Sequence, residues 1–135
     1  MKAIISLILI ATFLFIGDLS AQISQPWTKI SEDGDLTVFI NQKYSGKTQE
    51  GIPTVMLRYV FEDGRDITRG TPLTYFSRVD IVAMRSSERL YQIQDTTLYD
   101  KNGTDITPLP KHPSTKWSEI KADYPLMKVL QYLEQ

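Results

Sequence analysis

Three dipeptides, Asp33-Gly34, Asp63-Gly64 and Asn102-Gly103, constrain this chain more than any other feature. Asp-Gly and Asn-Gly suit tight type I′ hairpin turns, whose two central residues both need positive φ. Apolar runs flank each one. "LTVFI" (Leu36 to Ile40) follows the first, and "TVMLRYVFE" (Thr54 to Glu62) precedes the second. The longer run alternates: Val55, Leu57, Tyr59 and Phe61 point one way, and Thr54, Met56, Arg58 and Glu62 the other. Period two with β-branched and aromatic content predicts a half-buried strand. In "TYFSRVDIVAM" (Thr74 to Met84), Ser77, Val79, Ile81 and Ala83 share one face, and Arg78, Asp80, Val82 and Met84 share the other. "SSE" makes a short connection to "RLYQIQDTTLYD" (Arg89 to Asp100), and "TDITPL" after Asn102-Gly103 makes a short final strand. Consecutive strands with tight links predict an antiparallel meander.

Strand character stops at "PLPKHPSTK", where three prolines mark a stiff, extended loop. The period then changes. In "YPLMKVLQYLEQ", Leu126, Val129, Leu130 and Leu133 fall on one helical face. Pro125 suits a first turn, and Asp123 is placed to cap it. A helix of roughly ten residues is marginal alone, so its apolar stripe has to dock, and the sheet offers the surface. The predicted class is α+β: an antiparallel β-sheet meander with a C-terminal α-helix packed on one face.

The chain opens with Lys2 and an uncharged apolar run, Ala3 to Ile16, followed by "GDLSA". That is the order of a secretory signal peptide over residues 1–21, cleaved between Ala21 and Gln22, although Leu19 is larger than the position favours. The apolar run of 14 residues is short of the roughly 20 that span a bilayer core. Residues 22–135 then form a single domain. Removing Lys2 and Asp18 together leaves the net charge of −1 unchanged. Such a balance offers no footprint for nucleic acid. There are no cysteines, so the exported domain relies on its core rather than on disulfides.

Signatures of chemistry are incomplete. "SGKT" (Ser45 to Thr48) ends like a phosphate-binding loop, but Asn41 stands where the first glycine belongs, and no helix follows. "DKNGTDITPLPK" begins like a calcium loop, yet Asp105 replaces the sixth-position glycine and Lys111 the twelfth-position glutamate. Asn102-Gly103-Thr104 is a glycosylation sequon that marks an exposed turn. The sole histidine, His112, lies in the proline loop without a nucleophile signature. Glu32-Asp33 and Glu62-Asp63 adjoin turn glycines, where solvated acids are ordinary. No catalytic, cofactor-binding or metal-binding residues are assigned. Among the aromatics, alternation turns Tyr59, Phe61 and Tyr91 inward. It leaves Tyr44, Tyr75 and Tyr132 as candidate partner contacts.

"WTKI" near the mature start, "SRVDIVA" leading into "RLYQIQDTTLYDKNG", and "WSEI" before a short closing helix together resemble the surface-adhesin protein E-like family of exported bacterial proteins. The resemblance runs from Trp27 to Leu133. It implies an exported, sheet-rich domain with a packed helix and, for the founding members, adhesion to host or matrix proteins. Many relatives carry a cysteine at about Ala83 and another near the C-terminus, tying helix to sheet. Both are absent here, which leaves the helix to hydrophobic contact. No binding residues carry over.

The expectation is an exported, non-enzymatic bacterial domain, secreted or periplasmic or held at the cell surface. It binds a protein or cell-envelope component as an adhesin-like module, with no cofactor, no nucleic acid and no membrane span after signal removal. The alternative is a periplasmic carrier of a small apolar ligand, which requires a cavity of a few hundred Å³ between sheet and helix. A hydrolase using His112 or a carboxylate pair would require either group to face a cleft.

Overall fold

The computed structural model describes residues 26–68, 71–109, 111 and 114–135. The signal-peptide residues, the Ala21–Gln22 bond and His112 lie outside them. The chain forms an antiparallel β-sheet with one C-terminal helix, an α+β arrangement. Its elements are β1 (Trp27–Asp33), β2 (Leu36–Asn41), β3 (Gly46–Lys47), β4 (Pro53–Thr68), β5 (Thr71–Arg85), β6 (Leu90–Tyr99), β7 (Ser118–Glu119) and α1 (Pro125–Leu133). The sheet order is β1-β2-β4-β5-β6-β7, with β3 paired to the start of β4.

The turn dipeptides behave in three different ways. Asp33 pairs with Leu36, so the first turn is Gly34-Asp35, one residue later than the dipeptide suggests. Gly34 has φ +60 and Asp35 is not in the left-handed region, the pattern of a type II′ rather than a type I′ turn. Asp35 is thereby released to grip Arg65 through two hydrogen bonds of 2.7 and 3.0 Å. Asp63-Gly64 is not a turn at all. β4 runs through it to Thr68, and the ladder to β5 shifts register between Val60 and Arg65. Gly64 has φ +74, and a Cβ there would sit 2.6 Å from Thr74 Cγ2 and 3.1 Å from the Phe76 ring. It is a β-bulge that only glycine fits. Asn102-Gly103 does turn the chain. Gly103 N–H donates to the Asp100 carbonyl, and Asp100 Oδ1 accepts from the Asn102 and Thr104 amides.

The strand expected after that turn is reduced to a single bridge, Tyr99 to Asp105. Thr107 Oγ1, rather than a main-chain carbonyl, accepts from the Leu98 amide, and Pro108 brings no N–H to continue a ladder. The unexpected β7 returns to pair with Leu90 and Tyr91. From there the chain passes to α1, with Ile120 buried on the way.

Pro125 opens the helix as its first residue. Tyr124, not Asp123, holds the cap position, and no side chain caps it. Leu126, Val129 and Leu130 are buried, whereas Leu133 is 41% exposed. The expected stripe therefore loses its last member, and the half-buried Met127 and Tyr132 flank it instead. The three buried helix residues join Val38, Ile40, Leu57, Tyr59, Phe61, Val82, Met84 and Ile120 in one core. Full burial of each aliphatic side chain stabilises by about 1.5–3 kcal/mol.

Register assigns the faces. Ile40 pairs with Leu57, Leu57 with Asp80, and Asp80 with Thr96. Val38 pairs with Tyr59, and Tyr59 with Arg78. Cross-strand partners share a face, so Arg78, Asp80, Val82 and Met84 lie on the helix side. Phe39, Arg58 and Val79 form a row on the opposite side.

Candidate functional site

The helix does not cover its face of the sheet completely. Beside its first turn a hollow of about 300 Å³ opens over β4, β5 and β6. Leu36, Phe61, Val82 and Ile93 wall it with aliphatic and aromatic surface, Tyr59 and Tyr91 stand on the sheet, and Tyr124, Pro125 and Leu126 close it from the helix. Arg78 and Asp80 also line it. The composition, mostly apolar with a few polar groups, is that of a small-molecule pocket, and the volume lies at the small end of such pockets.

The polar pair has an unusual setting. The Asp80 side chain is 1% exposed. Its Oδ1 accepts from Thr96 Oγ1 at 2.9 Å. Its Oδ2 lies 3.1 Å from Arg78 Nη2, yet it receives no hydrogen bond of acceptable geometry. Burial pushes the Asp80 carboxyl above its ordinary range, and the Arg78 charge and the Thr96 hydroxyl oppose that rise. The Arg78 guanidinium lies 4.6 Å from the centre of the Tyr59 ring, and its Nε is buried without a partner. Burial also raises the Tyr59 phenol, with the Asp80 charge adding to the effect. An ion pair in an apolar hollow with one acceptor and one donor unfilled is costly without a compensating group.

A second, more polar hollow of about 550 Å³ adjoins the first through Leu36, Tyr124 and Pro125. Glu32, Asp33, Asp123 and Lys128 line it. The pair Glu32-Asp33 is exposed, and Glu32 is engaged by Lys29 at 3.0 Å. Glu62-Asp63 is exposed at the bulge. Among the described residues, no three His, Cys, Asp or Glu side chains converge in a metal-binding arrangement. No helix there is long and apolar enough to cross a membrane.

The three tyrosines singled out as contacts are half-buried and separately engaged. Tyr44 shares a 3.0 Å hydrogen bond with Thr54 Oγ1. Tyr132 accepts from Gln42 Nε2 at 2.9 Å. Tyr75 packs edge-on against Phe61, with ring centres 5.6 Å apart. Tyr44 and Tyr132 lie near the β2–β3 connection, and Tyr75 lies on the far reach of the β4–β5 hairpin, so they do not form one patch. The tryptophans lie instead beside arginines on the face away from the helix. Arg58 is over Trp27 at 5.1 Å, and Arg85 is over Trp117 at 4.4 Å.

Sequence reading passed over Arg78 and Asp80. One signal pointed to them: an acid and a base two residues apart, on one face of a strand whose other face carries Ser77, Val79, Ile81 and Ala83. Alternation located the pair on a common face but not which face the helix would cover. No known protein family, curated protein or solved structure matches the chain.

Proposed function

We propose that this chain is an exported, non-enzymatic binding domain that carries a small, largely apolar ligand in the hollow beside the helix. The hollow itself carries this reading. It has the size the carrier alternative requires and aromatic and aliphatic walls. The meander and the helix packed on one of its faces serve, in this reading, as the frame: β4 to β6 make the floor and α1 one wall. The signal-like leader and the likeness to surface-adhesin E-like proteins support export to the periplasm or cell surface. Native mass spectrometry of protein isolated from the envelope tests the proposal. A small-molecule adduct is expected, and it should be lost in Ile93→Trp, which fills the hollow. Wild type and Ile93→Trp each appearing at its own bare sequence mass, with identical thermal stability in envelope extract, would count against it.

The adhesin-like reading, in which the partner is a protein or envelope component, is favoured by a different observation. The two arginine-tryptophan stacks both lie on the face away from the helix, and arginine and tryptophan are the residues that most often dominate protein contacts. Its test is capture of matrix or envelope proteins by the wild type and not by the Trp27→Ala/Trp117→Ala double variant. Equal capture by both proteins rules this face out.

A further inference from the structure

The two charged residues that line the apolar hollow, Arg78 and Asp80, are unequally exposed. The Arg78 side chain is 30% exposed and that of Asp80 only 1%. Asp80 Oδ1 is taken by Thr96 Oγ1, and Oδ2 is closed off from any open space. A molecule entering the hollow therefore meets a guanidinium and no carboxylate. Of the guanidinium nitrogens, Nε is closed off and Nη2 faces Asp80 at 3.1 Å, which leaves the edge of the fork at Nη1 as the polar surface on offer. The stack on the Tyr59 ring at 4.6 Å and the contact with Asp80 hold that fork in place, so little freedom is lost when a ligand binds it. Asp80 offsets part of the Arg78 charge, but without accessible surface it does not touch the ligand. The remaining charges belong to the adjoining polar hollow. Glu32, Asp33, Asp123 and Lys128 line that one and not this one, and Arg78 lines this one and not that. Three acids beyond the junction and one exposed guanidinium within sort an anionic head towards Arg78.

Resting on the carrier reading, we propose that the hollow takes a short aliphatic carboxylate, its head on the exposed edge of the Arg78 guanidinium and its tail among Phe61, Val82, Tyr91, Ile93 and Leu126. The planar fork matches the plane of a carboxylate. A hydrogen bond between charged partners is roughly twice as strong as one between neutral groups. An alcohol head accepts from the same fork without that gain, and an ammonium head meets like charge and has nothing to accept with. With equal tails, the head sets the order: carboxylate, then alcohol, then ammonium.

The experiment titrates three probes of one tail length, octanoate, octanol and octylammonium, into the purified protein near neutral pH, followed by calorimetry and by amide chemical shifts. Octanoate is expected to saturate one site, shifting Arg78, Val82 and Ile93, with affinity about tenfold or more above octanol and with octylammonium weakest. Its affinity should fall as salt is added, and that of octanol should not. Arg78→Met/Asp80→Leu removes both charges together and so strands neither; in it octanoate should lose its lead while octanol still binds. If that variant does not fold, the ranking and the salt dependence on wild type decide alone. Octanol or octylammonium matching or exceeding octanoate, or octanoate keeping its lead in the double variant, overturns the carboxylate inference and leaves the carrier reading standing. Failure of all three to saturate or to shift those amides overturns both.

Discussion

On β5 the side chains of Val79, Ile81 and Ala83 point one way and those of Arg78, Asp80, Val82 and Met84 the other, and Val82 and Met84 of the second set join Leu126, Val129 and Leu130 of α1 in the core. The strand's own composition favours the opposite choice, because Val79, Ile81 and Ala83 are all apolar whereas the second set holds Arg78 and Asp80. The neighbouring strands decide the matter. Val38 and Ile40 on β2 and Leu57, Tyr59 and Phe61 on β4 are the rows with enough apolar surface to receive Leu126, Val129 and Leu130, and register carries Arg78 and Asp80 beneath them. A slip of one residue would exchange both faces at once. The covered face thus holds both the core and the buried Arg78–Asp80 ion pair, while the other face holds the half-buried Val79 and Ile81 and the buried Ala83 beside stacked arginines. Burial is a property of the sheet and its covering helix, not of any one strand.

Truncation on the two faces should separate them most widely. Leu57 is fully buried and Leu130 is 1% exposed, so Leu57→Ala and Leu130→Ala should each destabilise by about 2–5 kcal/mol. Ile81→Ala, on the face away from the helix, should cost about 1 kcal/mol. Urea unfolding midpoints give the comparison. Equal losses for Leu57→Ala and Ile81→Ala would mean that the helix does not distinguish the faces.

The glycines sharpen it next, because one serves the sheet and another only a loop. Gly64 and Gly103 both have positive φ, which costs a residue with a Cβ about 1–2 kcal/mol. A Cβ on Gly64 also collides with Thr74 and Phe76, whereas one on Gly103 meets nothing within 4 Å. Gly64→Ala should therefore lose about 3 kcal/mol, once overpacking is added, and Gly103→Ala about 1 kcal/mol. Thermal unfolding of the two variants is the measurement, and similar losses would remove the bulge as a structural requirement.

The same contrasts show what was legible in the sequence. Period-two runs located β2, β4, β5 and β6, and the change of period located the helix, because each of these elements repeats its pattern several times. Asp63-Gly64 misled because a dipeptide reports a need for positive φ, which a bulge satisfies as well as a turn. β7 was invisible because two residues carry no period. Leu133 fitted the helical stripe, but it falls in the last turn, where the sheet no longer covers it. The hollow had no local signature at all. It exists where α1 leaves part of β4, β5 and β6 uncovered, a fact about placement that no single segment encodes.

Titration should reveal the buried Asp80 pair and the Asp35–Arg65 pair at the β1–β2 turn as opposite signs. Asp80, under the helix, has its carboxyl raised by burial. Its native form holds a proton more firmly than the unfolded chain does, so its contribution to stability declines as pH rises from its ordinary value of 3.8. Asp35 is lowered, first by its hydrogen bond to Arg65. Its contribution is present above 3.8 and is lost as pH falls through the depressed native value. Relative to wild type, the melting temperature of Asp80→Asn should therefore improve between about pH 3 and pH 7, and that of Asp35→Asn should worsen over the same span. Differences of the same sign in both variants would contradict the buried setting of Asp80.

The smallest expected effect compares one contact type in both environments. Arg85 over Trp117 and Arg78 over Tyr59 have nearly equal distances, 4.4 and 4.6 Å, but the Arg78 stack lines the hollow and the Arg85 stack lies on the outer face. Cation–π contacts stabilise by about 0.5–1 kcal/mol when exposed and about 2 kcal/mol when desolvated, and tryptophan is the better ring. Ring chemistry alone thus favours the outer pair, and desolvation favours the inner one. Double-mutant cycles with Arg→Met and aromatic→Leu changes isolate each coupling. The inner cycle is run in an Asp80→Asn background so that the neighbouring carboxylate does not contribute its own attraction. Coupling in the inner pair above that of the outer pair is expected, since the tyrosine's weaker quadrupole acts through less water. An outer coupling equal to or larger than the inner would mean that water reaches Arg78 as freely as Arg85, and that the hollow is an open groove rather than a desolvated pocket.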